Sequence, residues 1–161
     1  MSKSRLILLS SLLVASAGGS AAMAKADASA CASGKPSVLV HVSGLKRPTG
    51  QVKIGVYPAG SYLQKRGTVA KDTVPVKSTA MDVCFAVPMP GRYAVAIHHD
   101  LNANGSRDIN DGAGYSNNPK LSLTNLKPAF SRTAVQVGDA PRRVGVVMQY
   151  RKGLSVGPVH G

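Results

Sequence analysis

Apolar residues recur at every second position in seven short runs of this chain, and this periodicity constrains the fold more than any other feature. The clearest run is "SVLVHVSGL" (37–45), in which Val38, Val40 and Val42 fall on one face of an extended strand. Similar runs cover residues 50–58, 72–79, 81–88, 92–100, 132–138 and 142–150, with Gly, Pro and Asn between them. Each strand has one apolar face to bury, which predicts an all-β fold: an antiparallel β-sandwich of about seven strands.

The first 24 residues are typical of a signal peptide. A basic start, "MSKSR", precedes the apolar run "LILLSSLLVASA", and "AMA" at 22–24 fits the small-x-small cleavage pattern. The mature chain is expected to begin near Lys25, to be exported to the periplasm or the extracellular space, and to contain no transmembrane segment. We divide it into an N-terminal lead-in at 25–36, the β-sandwich domain at 37–150 and a flexible tail at 151–161.

Cys31 and Cys84 are an even pair of cysteines in a chain with an export signal, so we expect a disulfide between them. Closing a loop of this length stabilises a fold by roughly 4 kcal/mol through the entropy of the unfolded chain. Two cysteines alone do not form a thiolate zinc site, so the predicted role of the pair is structural.

The predicted mature chain is strongly basic, with 18 Lys and Arg against 7 Asp and a net charge of +11 once Lys3 and Arg5 are removed. Such a charge favours anionic partners, here acidic cell-envelope polymers or lipids. The basic residues are scattered along the sequence, and there is no Trp for stacking bases, so nucleic acid is not a predicted partner.

The segment "HHDLNANGSRDINDGAGYSNN" (98–118) carries the main chemical signal. Counted from Asp100, it matches positions 1, 3, 5, 6, 9 and 12 of an EF-hand-type calcium loop, in which position 7 adds a backbone carbonyl. Hard oxygen ligands of this kind suit Ca²⁺, although Asp111 is shorter than the usual Glu at position 12. The predicted ligands are Asp100, Asn102, Asn104, the Ser106 carbonyl, Asp108 and Asp111.

Two other interpretations of this segment stay open. Asx-turns order loops rich in Asn and Asp without a metal. Alternatively, His98 and Asp100 share one face of the strand and could form the imidazole–carboxylate pair of a hydrolase. No nucleophile-elbow pattern surrounds Ser116, so the sequence does not predict an enzyme. In the metal-free interpretation the loop is braced by hydrogen bonds from His98, His99, Ser116 and Asn117.

The same residues resemble a known family. "GRYAVAIHHDLNANGSRD" followed by "GYSNN" is similar to the signature of the bacterial exported family catalogued as domain of unknown function 2141, and "VHVSGL" with "GQVKIGVYP" resembles its opening strands. This chain departs from the pattern at Ser106 and Arg107. The resemblance implies an exported β-sandwich of immunoglobulin-like or transthyretin-like type and supplies no activity. The predicted function is therefore a structural or binding module.

Overall fold

The structure, a computed structural model, describes residues 25–159, so the predicted signal peptide at 1–24 lies outside the described residues. Within this range strands are the main regular structure, and a 3-10 turn lies at Ala59–Ser61. The two helices are α1 (Ala28–Ala32) and α2 (Phe130–Thr133). The strands are β1 (Ser37–Ser43), β2 (Gln51–Pro58), β3 (Ala70–Pro75), β4 (Met81–Ala86), β5 (Gly91–Asp100), β6 (Gly112–Tyr115), β7 (Ala134–Val137), β8 (Pro141–Val147), β9 (Gln149–Lys152) and β10 (Ser155–Pro158).

The strands form two sheets. The larger has the order β10-β9-β6-β5-β2-β3, with β7 also paired to β5, and its neighbours are antiparallel. The smaller has the order β4-β1-β8, in which β1 is antiparallel to β4 and parallel to β8. The predicted all-β sandwich is confirmed, while the parallel pair departs from a purely antiparallel arrangement.

The core lies between the two sheets. Val38, Val40 and Val42 of β1 are fully buried, and they belong to the same apolar cluster as Val52 and Val56 of β2. β-branched side chains suit strands because they pack well on a pleated surface. Burying one such side chain contributes roughly 1.5–3 kcal/mol relative to leaving it in water.

Each of the seven predicted runs contains a strand, but three strands were not predicted separately: β6, β10, and β9, whose first residues fall in the run at 142–150. The β6 sequence is "GAGY", whose side chains are too small to show apolar alternation. A Cβ on Gly112 would lie 2.4 Å from the ring of Tyr150, and one on Gly114 would lie 2.7 Å from Val146. Close packing therefore requires these glycines, and the same requirement removes the sequence signal of a strand.

Both ends of the described range are tied to the sheets. At the N-terminal lead-in, α1 begins after Asp27, whose carboxylate accepts from the Ser29 backbone N–H at 2.9 Å. Cys31 in α1 forms a disulfide with Cys84 of β4, the pair for which the sequence predicts one. The predicted flexible tail contains the end of β9 and all of β10, which pair as a hairpin. No helix of the described residues is long and apolar enough to cross a membrane.

Candidate functional site

Asp100, the last residue of β5, is the centre of the polar segment and is fully buried. Its carboxylate accepts four hydrogen bonds: from Gln51 Nε2 (3.1 Å), Lys53 Nζ (3.1 Å), and the backbone N–H groups of Asn104 (3.2 Å) and Gly105 (2.9 Å). Burial alone would raise the pKa of Asp100, but these hydrogen bonds and the charge of Lys53 hold the pKa well below its usual value. The carboxylate is therefore a permanently charged anchor.

Lys53 is the cation that pairs with Asp100. It lies on β2 directly opposite His98 of β5, so its side chain emerges on the outer face of the larger sheet. Its ammonium group lies 3.1 Å from Asp100 Oδ2 and 3.0 Å from the carbonyl oxygen of Gly105. A lysine thus binds a carboxylate and a backbone carbonyl of the loop, the kinds of oxygen that a calcium ion takes.

Asp111 closes the loop. Its Oδ2 accepts from His98 Nε2 at 2.8 Å and from the backbone N–H of Asp108 at 2.9 Å, and its Oδ1 accepts from the N–H of Leu101 at 3.1 Å. Burial would raise the pKa of Asp111, but these three donors outweigh it and lower the pKa. The two ends of the loop are thereby joined through one carboxylate.

The exposed part of the loop is ordered by side chains bonded to nearby groups. Asp108 Oδ2 accepts from Asn102 Nδ2 at 3.0 Å and from Asn104 Nδ2 at 2.8 Å. The amide oxygen of Asn104 accepts from the N–H of Ser106 at 2.8 Å, which is an Asx-turn. These contacts match the metal-free interpretation of the segment.

In this arrangement the carboxylates among the predicted calcium ligands are bonded to donors of the protein itself. Carboxylate oxygens of Asp100, Asp108 and Asp111 point to N–H donors, and Lys53 already neutralises Asp100. Among residues 25–159 there is no group of three or more His, Cys, Asp or Glu side chains placed to hold a metal ion. The calcium interpretation of the EF-hand spacing therefore stays a prediction.

The structure also does not assemble the predicted hydrolase pair. His98 and Asp100 share the outer face of the larger sheet as expected, but His98 bonds to Asp111 and Asp100 bonds to Lys53. Ser116 is fully buried, where its Oγ accepts from the Val95 N–H at 2.9 Å and donates to the Thr133 carbonyl.

His99 points to the opposite side of β5, into the core. Its Nε2 donates to the Thr49 carbonyl at 2.9 Å, which leaves Nδ1 to accept from the Tyr150 hydroxyl at 2.6 Å. That hydroxyl in turn accepts from the Lys46 N–H at 3.0 Å. Burial lowers the pKa of His99, with smaller opposing effects from its Thr49 bond and from nearby carboxylates. His99 is a neutral brace between β5, β9 and the β1–β2 loop.

We expect acid to destabilise the protein through His99. The unfolded chain takes up a proton near the ordinary His pKa of 6.5, whereas folded His99 stays neutral until its lower pKa is reached. Stability is therefore lost as pH falls below 6.5, by at most about 1.4 kcal/mol per pH unit for one proton. The measurement is urea unfolding of the wild type and of His99→Gln between about pH 8 and pH 5. A constant difference between the two proteins across this range would show that His99 does not titrate as argued.

The "SNN" segment joins several strands. The amide of Asn117 donates to the Ala134 carbonyl at 3.0 Å, at the start of β7. The side chain of Asn118 donates to Gly145 and accepts from the Val147 N–H at 2.7 Å, both on β8 of the smaller sheet. Both asparagines have a positive φ, which Asn tolerates better than most residues. Asn118, which the sequence did not single out, therefore connects the two sheets.

A cavity of about 400 Å³ opens on the outer face of the larger sheet beside the loop. Its floor includes Gly55 of β2 and Ala96 of β5, which are paired residues with small or no side chains. Four basic residues that are distant in sequence line it, and we call it the basic cavity; they are Lys53, Lys65, Lys71 and Arg107. The tyrosines Tyr57 and Tyr115 complete its wall.

Three of these cations are not neutralised. Lys53 is paired with Asp100, but Lys65, Lys71 and Arg107 form no ion pair with any described residue. The lining contains one carboxylate, Asp72, which accepts from the backbone N–H groups of Ala26 and Thr73. Burial raises the pKa of Tyr115 to about 12, and the positive charge of Arg107 opposes this effect. The cavity is therefore a concave surface with an excess of positive charge.

A second cavity, of about 350 Å³, adjoins the first and is lined differently. His98 and Arg107 line both cavities. Five apolar side chains line it, and we call it the apolar cavity; they are Ile109, Ala113, Leu123, Leu126 and Val156. Its polar lining residues besides His98 and Arg107 are Asp108, Asp111, Gln149 and Arg151. The sequence did not indicate either cavity, because their residues come from separate strands and loops.

Comparison with known proteins identifies a family. The sequence matches the family described as "Uncharacterized protein conserved in bacteria (DUF2141)" over residues 40–144, which is more than half of the chain. This match includes the β5 strand, the polar loop and most of the residues that line the basic cavity. A search of the curated proteins and a search of the solved structures found no match. The chain belongs to the bacterial DUF2141 family of uncharacterized proteins.

Proposed function

We propose that this protein is a non-enzymatic binding module of the bacterial cell envelope, which takes an anionic group of its partner into the basic cavity. One observation carries the proposal: Lys65, Lys71 and Arg107, distant in sequence, line a single cavity of about 400 Å³ without carboxylate partners. Gathering like charges is unfavourable unless an anion balances them. Acidic cell-envelope polymers and acidic lipids both supply such groups.

The location in the envelope rests on the predicted signal peptide and on the disulfide. A disulfide between Cys31 and Cys84 is typical of oxidising compartments outside the cytoplasm. An acidic surface polymer or lipid would meet the protein there. The proposal keeps the predicted structural or binding role and assigns it to a cavity instead of to a calcium loop.

Charge reversal inside the cavity tests this function. The double variant Lys71→Glu/Arg107→Glu is expected to weaken binding of short-chain polyphosphate about tenfold or more at low salt, measured by isothermal titration calorimetry. The matched control is Lys77→Glu/Lys120→Glu, which makes the same change in net charge at exposed residues that do not line the cavity. Equal weakening by both double variants would mean that only the overall charge matters, and the cavity assignment would be wrong.

We also propose that Lys53, and not calcium, orders the 100–111 loop. The ammonium group of Lys53 bonds to Asp100 and to the Gly105 carbonyl, so the loop already contains a positive charge. We expect the same melting temperature with EDTA and with several millimolar Ca²⁺. A ligand that binds the folded state at 100 times its Kd would add roughly 2.7 kcal/mol, which a thermal melt detects easily. A saturable rise that is absent in Asp108→Ala would restore the calcium prediction.

A further inference from the structure

The apolar cavity gathers three of the five large hydrophobic side chains that are exposed among the described residues. These three are Ile109, Leu123 and Leu126. Isolated exposed apolar residues are ordinary, but several around one concavity indicate a binding surface. The other two, Met89 and Leu154, lie outside it.

The wall of the apolar cavity is held in place by buried polar contacts. The Tyr115 hydroxyl donates to the Leu126 carbonyl at 2.8 Å. The Gln149 amide donates to the Pro119 carbonyl at 2.9 Å and accepts from the Leu121 N–H at 3.2 Å. These contacts fix the segment that carries Leu123 and Leu126, so the apolar cavity is formed before any ligand arrives.

The basic and apolar cavities are neighbours with opposite chemistry. His98 and Arg107 line both, so the two spaces meet at these side chains. Of the two cavities, the cations Lys65 and Lys71 line only the basic cavity, and the apolar side chains of Ile109, Leu123 and Leu126 line only the apolar cavity. A ligand that spans both spaces would place an anionic group beside the cations and an aliphatic chain among the apolar residues.

We infer that the partner of this protein is an anionic lipid-like amphiphile, whose head group binds in the basic cavity and whose aliphatic chain lies in the apolar cavity. The inference rests on the proposed function and chooses a lipid over an acidic polymer. A polymer of charged units would use the basic cavity but would leave Ile109, Leu123 and Leu126 exposed to water. The cations of the basic cavity favour an anionic head group, and burial of an aliphatic chain in the apolar cavity adds binding free energy.

The test compares two phosphate esters that differ only in their chain. Dodecyl phosphate, kept below its micelle concentration, and butyl phosphate are titrated into the purified protein by calorimetry. We expect dodecyl phosphate to bind at least about tenfold more tightly, because its additional methylene groups leave water. Lys71→Glu is expected to weaken binding of both esters. The double variant Ile109→Ser/Leu126→Ser is expected to weaken dodecyl phosphate alone.

The control for Ile109→Ser/Leu126→Ser is Leu154→Ser, which changes a side chain that is 89% exposed and lies outside both cavities. Equal affinity for the two esters in the wild type would overturn the amphiphile inference and leave the proposed anion site standing. Equal loss of dodecyl phosphate affinity in Leu154→Ser and in Ile109→Ser/Leu126→Ser would also overturn it. Much tighter binding of polyphosphate than of dodecyl phosphate would contradict the amphiphile inference and leave the proposed anion site standing. If neither ester nor polyphosphate bound, the proposed function would be wrong as well.

Discussion

Replacing Lys53 by Met is expected to lower the free energy of unfolding by about 3 kcal/mol. Met keeps an unbranched apolar stem but removes the ammonium group that lies 3.1 Å from Asp100. The Asp100 side chain is fully buried, whereas that of Lys53 is 32% exposed, so the carboxylate cannot turn to water when its partner is lost. Gln51 and the N–H groups of Asn104 and Gly105 still donate to Asp100, but a buried charge that loses its ion-pair partner is among the few causes of a large effect from one substitution.

A matched lysine and a double-mutant cycle separate the ion pair from other effects. Lys71 lies on the neighbouring strand and lines the same cavity, but it is exposed and unpaired, so Lys71→Met should change stability by less than about 0.5 kcal/mol. In Lys53→Met/Asp100→Asn the loss should be smaller than the sum of the two single losses by about 1–3 kcal/mol. Urea unfolding measures the free energy of unfolding of the wild type, Lys53→Met, Asp100→Asn, the double variant and Lys71→Met. Additive losses would show that Lys53 does not neutralise Asp100.

Removing the disulfide is expected to destabilise the protein by roughly 4 kcal/mol. Cys31 and Cys84 are 53 positions apart, and their bond restricts a long loop of the unfolded chain. It also holds α1 against β4, where the Asp27 N–H donates to the Cys84 carbonyl at 2.9 Å. The melting temperature of Cys31→Ser/Cys84→Ser should fall by roughly 10–20 °C.

The wild type under reducing conditions is the control for that experiment. Reduction should reproduce the melting temperature of the double serine variant, because both proteins lack the same covalent link. Asp27→Ala, which removes the cap of α1 and keeps the disulfide, should lower the melting temperature by much less than the double serine variant does. A loss of less than about 1 kcal/mol in the double serine variant would mean that the lead-in segment does not restrain the unfolded chain.

The strands of the core were predictable from the sequence, because burial of one face imposes a period of two. The run at 92–100 placed His99 on the core face and His98 with Asp100 on the other, which is the arrangement in β5. Alternation does not tell which strands are neighbours, so the parallel pairing of β1 with β8 was not predicted. β6 was not predicted because close packing against Tyr150 requires glycine at Gly112, where an alternating strand would have a side chain.

The candidate site was less predictable, because the sequence does not show which strands are neighbours. The loop motif is local, and its residues could be named from spacing, but the partner of Asp100 lies 47 positions earlier in the chain. Only the pairing of β2 with β5 brings Lys53 to that carboxylate. The basic residues also appeared scattered in the sequence, although Lys65, Lys71 and Arg107 meet around one cavity. The missing information was strand order, which periodicity does not contain.

The most direct measurement of the central claim is an NMR titration of the ¹⁵N-labelled protein with inorganic phosphate. An anion in the basic cavity is expected to shift the backbone amides of Gly55, Ala96 and Thr73 and the side-chain N–H of Arg107, in a saturable way. These shifts should disappear in Lys71→Glu/Arg107→Glu and persist in Lys77→Glu/Lys120→Glu. Shifts spread over lysines and arginines all around the surface, or no saturable shift at the basic cavity, would contradict the account.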